Sequence, residues 1–77
     1  MIKQNNIQLR FVVCIRNEGS DDLSLRKIYQ ILPDEAAAEE NFIRVIDDSG
    51  EDYLYPANYF IQIELSEEIE QALLIAA

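Results

Sequence analysis

The sequence predicts one small, mainly β domain, a barrel of about five strands with a short C-terminal helix, and three observations carry that expectation. The chain has 77 residues, enough for one hydrophobic core and too few for two. Segments rich in β-forming residues recur along it, separated by turns containing Gly, Asp, Asn or Pro. Short strands, a long early loop, a tight central hairpin and a terminal closing strand suit a small barrel better than a layered α/β fold. The expected layout is a single domain over 1–77, with the barrel at about 7–65 and the helix at about 66–75.

The first strand is read from Ile7, Leu9, Phe11, Val13 and Ile15, which alternate with Gln8, Arg10, Val12, Cys14 and Arg16 and so form one buried face. Asn17-Glu18-Gly19-Ser20-Asp21-Asp22 supplies the loop that follows. Lys27 to Leu32 forms the second strand, stopped by Pro33, which has no backbone donor. Pro33 to Glu40 has the composition of a one- or two-turn helix, acidic at its start, whose alanines offer little anchorage. Phe42 to Ile46 and Tyr53 to Tyr55 flank Asp47-Asp48-Ser49-Gly50-Glu51-Asp52, a hairpin with a solvated tip. Tyr59 to Leu65 alternates again, with Tyr59, Ile61, Ile63 and Leu65 on one side, and closes the sheet. Ser66 then caps a helix with Glu67, Glu68 and Glu70 in its first turn and Ile69, Ala72, Leu73 and Ala76 as its apolar stripe. Such a stripe either covers an open edge of the barrel or joins a second copy, so both monomer and homodimer stand open.

Composition excludes several classes. Apolar residues make up 49% and charged residues 27%, the profile of a soluble globular chain and neither of a disordered one nor of a membrane protein. The opening stretch lacks the apolar core of a signal peptide, and no window approaches the roughly 18 apolar residues of a membrane span. A single Cys14 cannot form an internal disulfide, so a reducing, cytoplasmic location is expected, with Cys14 as a buried hydrophobe. With no histidine there is no Cys/His nucleophile pair, and no nucleotide loop, zinc set or cofactor motif is present. The expectation is a non-enzyme without cofactor, catalytic or metal residues. The Asp47 to Asp52 run does not have EF-hand spacing.

The net charge of −9 is unevenly placed: residues 1–27 carry five basic and three acidic side chains, residues 28–77 one basic and twelve acidic. Such a surface repels phosphates, which argues against direct nucleic-acid or membrane binding.

In Val13-Cys14-Ile15-Arg16-Asn17, Leu25 to Ile31, Ile43 to Glu51 and Tyr55-Pro56, followed by Phe60, the chain resembles a group of short bacterial and phage proteins of SH3-like barrel fold. The resemblance covers roughly residues 11–65 and implies the fold, since the group has no established biochemical role. Those proteins usually carry glycine before the Lys-Ile-Tyr segment, where this chain has Arg26. More locally, Tyr55-Pro56-Ala57-Asn58-Tyr59-Phe60 is similar to the segment preceding the last strand of SH3 domains. There the Pro and Tyr line a groove for proline-rich peptides, which by position nominates Pro56 and Tyr59, with Asn58 as a hydrogen-bonding group. The chain has no Trp to wall such a groove and no early Ala-Leu-Tyr-Asp-Tyr stretch, and the same residues also suit a plain helical turn between strands.

Two functions follow as expectations. The first is a small protein-interaction module that binds a protein or peptide through Tyr29, Tyr53, Tyr55, Pro56, Asn58 and Tyr59, since Tyr is favoured at binding surfaces. The alternative is an acidic decoy that occupies the basic site of a nucleic-acid-binding protein.

Overall fold

The computed structural model describes residues 10–75. In chain order the elements are β1 (Phe11–Cys14), β2 (Ile28–Leu32), α1 (Glu35–Glu39), β3 (Phe42–Ile46), β4 (Asp52–Pro56), a 3-10 turn (Ala57–Tyr59), β5 (Phe60–Ile63) and α2 (Glu67–Leu73). The strands form one antiparallel sheet in the order β4-β3-β2-β1-β5. β2 is shared: Ile28 to Gln30 pair with β1, whereas Ile31 and Leu32 pair with β3. The handover between Gln30 and Ile31 lets the sheet curl, because the two ladders need not lie in one plane. The curl brings the edges together, so that Tyr55 on β4 lies edge-on to Phe60 on β5 with ring centroids 6.3 Å apart. Among the described residues no ladder joins β4 to β5, so the sheet is curled and not closed by hydrogen bonds.

The core lies inside that curl. Val12, Cys14, Leu23, Tyr29, Val45 and Phe60 form it, with Ile31, Ile43, Tyr55 and Tyr59 packed against it. This corrects the expected faces of β1. Val12 faces Tyr29, Cys14 faces Phe60, and both are essentially sealed from solvent, whereas Ile15 remains 45% exposed. Phe11 is also buried, but on the opposite face, opposite Gln30 and Ile63. A strand flanked on both sides is buried on both faces where something covers it, and strict alternation then misassigns the inside. Ile7 and Leu9 lie outside the described residues. β5 is likewise shifted by one: Phe60 is the core residue, and Ile61 is 52% exposed.

The connections are set by caps. Asp34 caps α1 by accepting from the Ala37 amide and is held by Arg44 Nε at 2.9 Å. The expected lack of anchorage is corrected by Ala37, which is buried. Asn41 takes the left-handed conformation just after the helix, where Asn is tolerated. Ser66 caps α2 from its side chain, as the sequence predicts, but the helix stops at Leu73 and Leu74 is extended. Ala76 lies outside the described residues. None of α2 is buried, with Ile69 and Leu73 exposed at 48% and 42%. Among the described residues, no helix is long and apolar enough to cross a membrane.

Candidate functional site

The hairpin tip between β3 and β4 is where the acidic residues are most densely engaged. The tip is exposed from Asp48 to Asp52, as the sequence predicts, whereas Asp47 at its start is only 5% exposed. Its carboxylate accepts from the Ser49 amide at 2.9 Å and the Tyr55 hydroxyl at 2.6 Å. The Gly50 amide donates to the Asp47 carbonyl, with Gly50 at φ +87° tightening the turn. Burial would raise the Asp47 pKa, but the bonds from Ser49 and Tyr55 outweigh it and hold the group below its usual value. Tyr55 is pushed up in turn by burial and by the adjacent Asp47 carboxylate.

Asp48 ties this hairpin to the loop between β1 and β2. It accepts from Ser24 Oγ at 2.8 Å, Lys27 Nζ at 2.6 Å and the Tyr29 hydroxyl at 3.0 Å, while its amide donates to the Asp22 carbonyl. The Tyr29 hydroxyl also accepts from the Ser24 amide at 2.7 Å. Desolvation opposes ionisation of Asp48, yet the bonds from Lys27, Ser24 and Tyr29 prevail and depress its pKa. Both carboxylates are therefore ionised and occupied as acceptors, which suits a structural latch and leaves no proton to donate.

The six nominated residues divide. Tyr29, Tyr55 and Tyr59 surround Phe60, with centroids 6.5, 6.3 and 6.3 Å from its ring. Tyr29 is 4% exposed and Tyr55 and Tyr59 are half-buried, so this cluster is part of the core. Tyr53 and Asn58 are exposed and Pro56 is half-buried, on or just after the edge strand β4. The 3-10 turn over Ala57–Tyr59 matches the plain helical-turn reading of this segment.

Two residues not nominated from sequence complete the accessible set. Phe42 pairs with Pro56 across the β3–β4 ladder, and Leu54 shares their face two positions along. They are 39% and 44% exposed. Phe42, Pro56 and Asn58 also line an open hollow of about 600 Å³ with Glu40, Asn41 and Ala57. A second hollow of about 440 Å³ is lined by Leu32, Pro33, Ala38 and Leu74 with Arg10 and Asp34, and contains none of the nominated residues. Alternation could have placed Phe42 and Leu54 together, but only after β4's inward face was known to be that of Tyr55. Comparison with known protein families, curated proteins and solved structures finds no match to this chain.

Proposed function

We propose that this chain is a small, non-enzymatic protein-interaction module with an SH3-like barrel, engaging a peptide along β4. The observation that carries the reading is the set of accessible apolar side chains along the sheet edge: Phe42, Leu54 and Pro56 on one face of the β3–β4 ladder, beside Asn58, with Tyr53 exposed on the other face. An edge strand offers unpaired backbone groups to an extended peptide, and pockets for alternate side chains then give selectivity. Glu40 and Glu51 lie beside this patch, so the peptide that suits it combines apolar and basic side chains. Support for the barrel comes from the shared strand β2, the approach of Tyr55 to Phe60 across the edges, and the short turn that joins β4 to β5.

The test is affinity capture from lysate with the native chain beside a Tyr53→Ala, Leu54→Lys variant, at low and high salt. A partner lost with the variant but retained at high salt supports the module. The acidic-decoy reading draws on the fact that only Glu18, Asp34, Asp48 and Asp52 of the fifteen acidic residues are in ion pairs among the described residues. It predicts the reverse pattern: binding indifferent to the variant and abolished by salt.

A further inference from the structure

Strand β4 is paired on one side only, to β3. In an antiparallel ladder, opposite residues alternate between pairs that exchange backbone bonds and pairs whose N–H and C=O groups turn away from each other. The bonds at the two ends of this ladder fix which is which. The Asp47 amide donates to the Glu51 carbonyl at 3.0 Å, and the Ala57 amide to the Asn41 carbonyl at 2.9 Å. Stepping by twos between them, Tyr53 and Tyr55 direct their backbone groups to Val45 and Ile43, whereas Asp52 and Leu54 direct theirs outward. Among the described residues, no turn or loop backbone bond takes those groups up, and both residues are exposed, Leu54 at 44%. Pro56, the next in that series, has no N–H to offer and leads into the 3-10 turn, so the free frame ends there.

Charge of one sign flanks this frame. Arg44 neutralises Asp52 from across the ladder, with Nη1 at 2.9 Å from Oδ2. Glu51 lies just before the strand, and Glu40 lines the hollow with Phe42 and Pro56 at its far end. Both glutamates are exposed and make no ion pair among the described residues. The four steps from Asp52 to Pro56 cover about 14 Å, so the two carboxylates bracket about five extended residues. No basic residue occurs from Val45 to Ala77, so β4 of a second copy would set acid beside acid. A separate segment carrying basic side chains meets the charge instead.

We propose that β4 takes an extended peptide of about five residues as a sixth strand, hydrogen-bonded at Asp52 and Leu54, apolar at its centre and basic at each end. The proposal rests on the reading of β4 as a peptide edge and adds the atoms that hold the peptide. In antiparallel pairing, the peptide residue opposite Leu54 exchanges both backbone bonds with it and lays its side chain beside Leu54. The residue opposite Tyr53 turns to the other face, and the one opposite Asp52 repeats the exchange. The two basic ends then reach Glu51 and Glu40.

The probe is the synthetic peptide Ser-Lys-Val-Leu-Val-Lys-Ser, titrated into the native chain while amide exchange is followed residue by residue by NMR. In the free chain the Tyr53 and Tyr55 amides, bonded to β3, exchange slowly, and those of Asp52 and Leu54 exchange fast. Bound peptide is expected to slow Asp52 and Leu54 about tenfold or more and to leave Tyr53 and Tyr55 as they were. Leu54→Pro deletes the outward N–H at a position where an edge strand tolerates proline. It is expected to keep the circular dichroism of the native chain and to raise Kd about tenfold, whereas Leu54→Val, which keeps the N–H, binds like the native chain. A peptide with Glu in place of both Lys is expected to bind at least about tenfold more weakly. Binding that shifts the Phe42, Leu54 and Asn58 signals without slowing the Asp52 and Leu54 amides overturns the strand pairing and leaves the interaction reading standing. So does a folded Leu54→Pro chain that binds like the native one. Absence of binding at about 1 mM peptide also overturns the pairing, while the interaction reading is decided separately by the lysate capture. Asp52 and Leu54 amides that are already protected in the free chain, in proportion to its concentration, assign the edge to a second copy and overturn the proposal as well.

Discussion

The hairpin tip and the C-terminal helix are both acidic, yet they use their charge in opposite ways. At the tip, Asp47 is withdrawn from solvent, Asp48 remains exposed, and both are engaged by converging donors: hydroxyls, an amide and Lys27. Along α2, Glu67 and Glu68 are exposed and have no basic partner among the described residues. The difference shows that the sign of a segment's charge says little about its task. What decides is whether donors converge on the carboxylate: the former acids hold two loops together, whereas the latter set the potential of a surface.

The contrast is open to experiment. Asp47→Ala removes the acceptor of the half-buried Tyr55 hydroxyl and of the Ser49 amide and is expected to destabilise by about 2 kcal/mol in urea denaturation. A loss no larger than that of an exposed glutamate would erase the distinction between the regions. The pH profile sharpens it further. Because Asp47 and Asp48 have depressed native pKa values, the unfolded chain binds more protons below about pH 4, so stability falls as acid is added through that range. Tyr55 is shifted the other way, so its contribution is intact below about pH 10 and is lost as the pH rises through its native value. Melting temperature against pH is expected to show both flanks, and Asp47→Ala to flatten both.

Smaller effects follow. Gln30→Ala removes the anchor of the C-terminal segment and is expected to cost about 1 kcal/mol, with faster hydrogen exchange at the Ile75 amide. Arg26→Gly is expected to raise stability by up to about 1 kcal/mol, because Arg26 is held at φ +66°, where a Cβ is strained. Smallest of all, Glu67→Gln with Glu68→Gln should leave the urea midpoint in place, since these side chains touch nothing that folding requires.

Element positions were largely legible in the sequence, because turns and caps are local. Pro33, Gly50 and Ser66 mark boundaries through their own backbones or side chains, and α1, the hairpin and α2 begin where these residues predict. Faces were less legible. Val12 and Cys14 turn inward only because β1 sits between β2 and β5 and the sheet curls around them, a relation among residues far apart in the chain. The tyrosines show the same limit. Composition alone places Tyr at surfaces, but Phe60 gathers Tyr29, Tyr55 and Tyr59 inward, leaving Tyr53 at the edge. Asp47 was read as solvated because its partner, Tyr55, approaches across the hairpin ladder. The glycine expected before Lys27 is a separate case: the backbone keeps the glycine-like conformation even though arginine occupies it.

Cys14 has a consequence of its own. Its sulfur is at the centre of the core, with no exposed surface, and desolvation raises its pKa despite a thiol bond to the Arg16 carbonyl. An alkylating or oxidising reagent therefore meets this thiol only when the domain opens. The rate at which the sulfur is modified then reports the frequency of opening, and the chain carries a built-in clock for its own breathing.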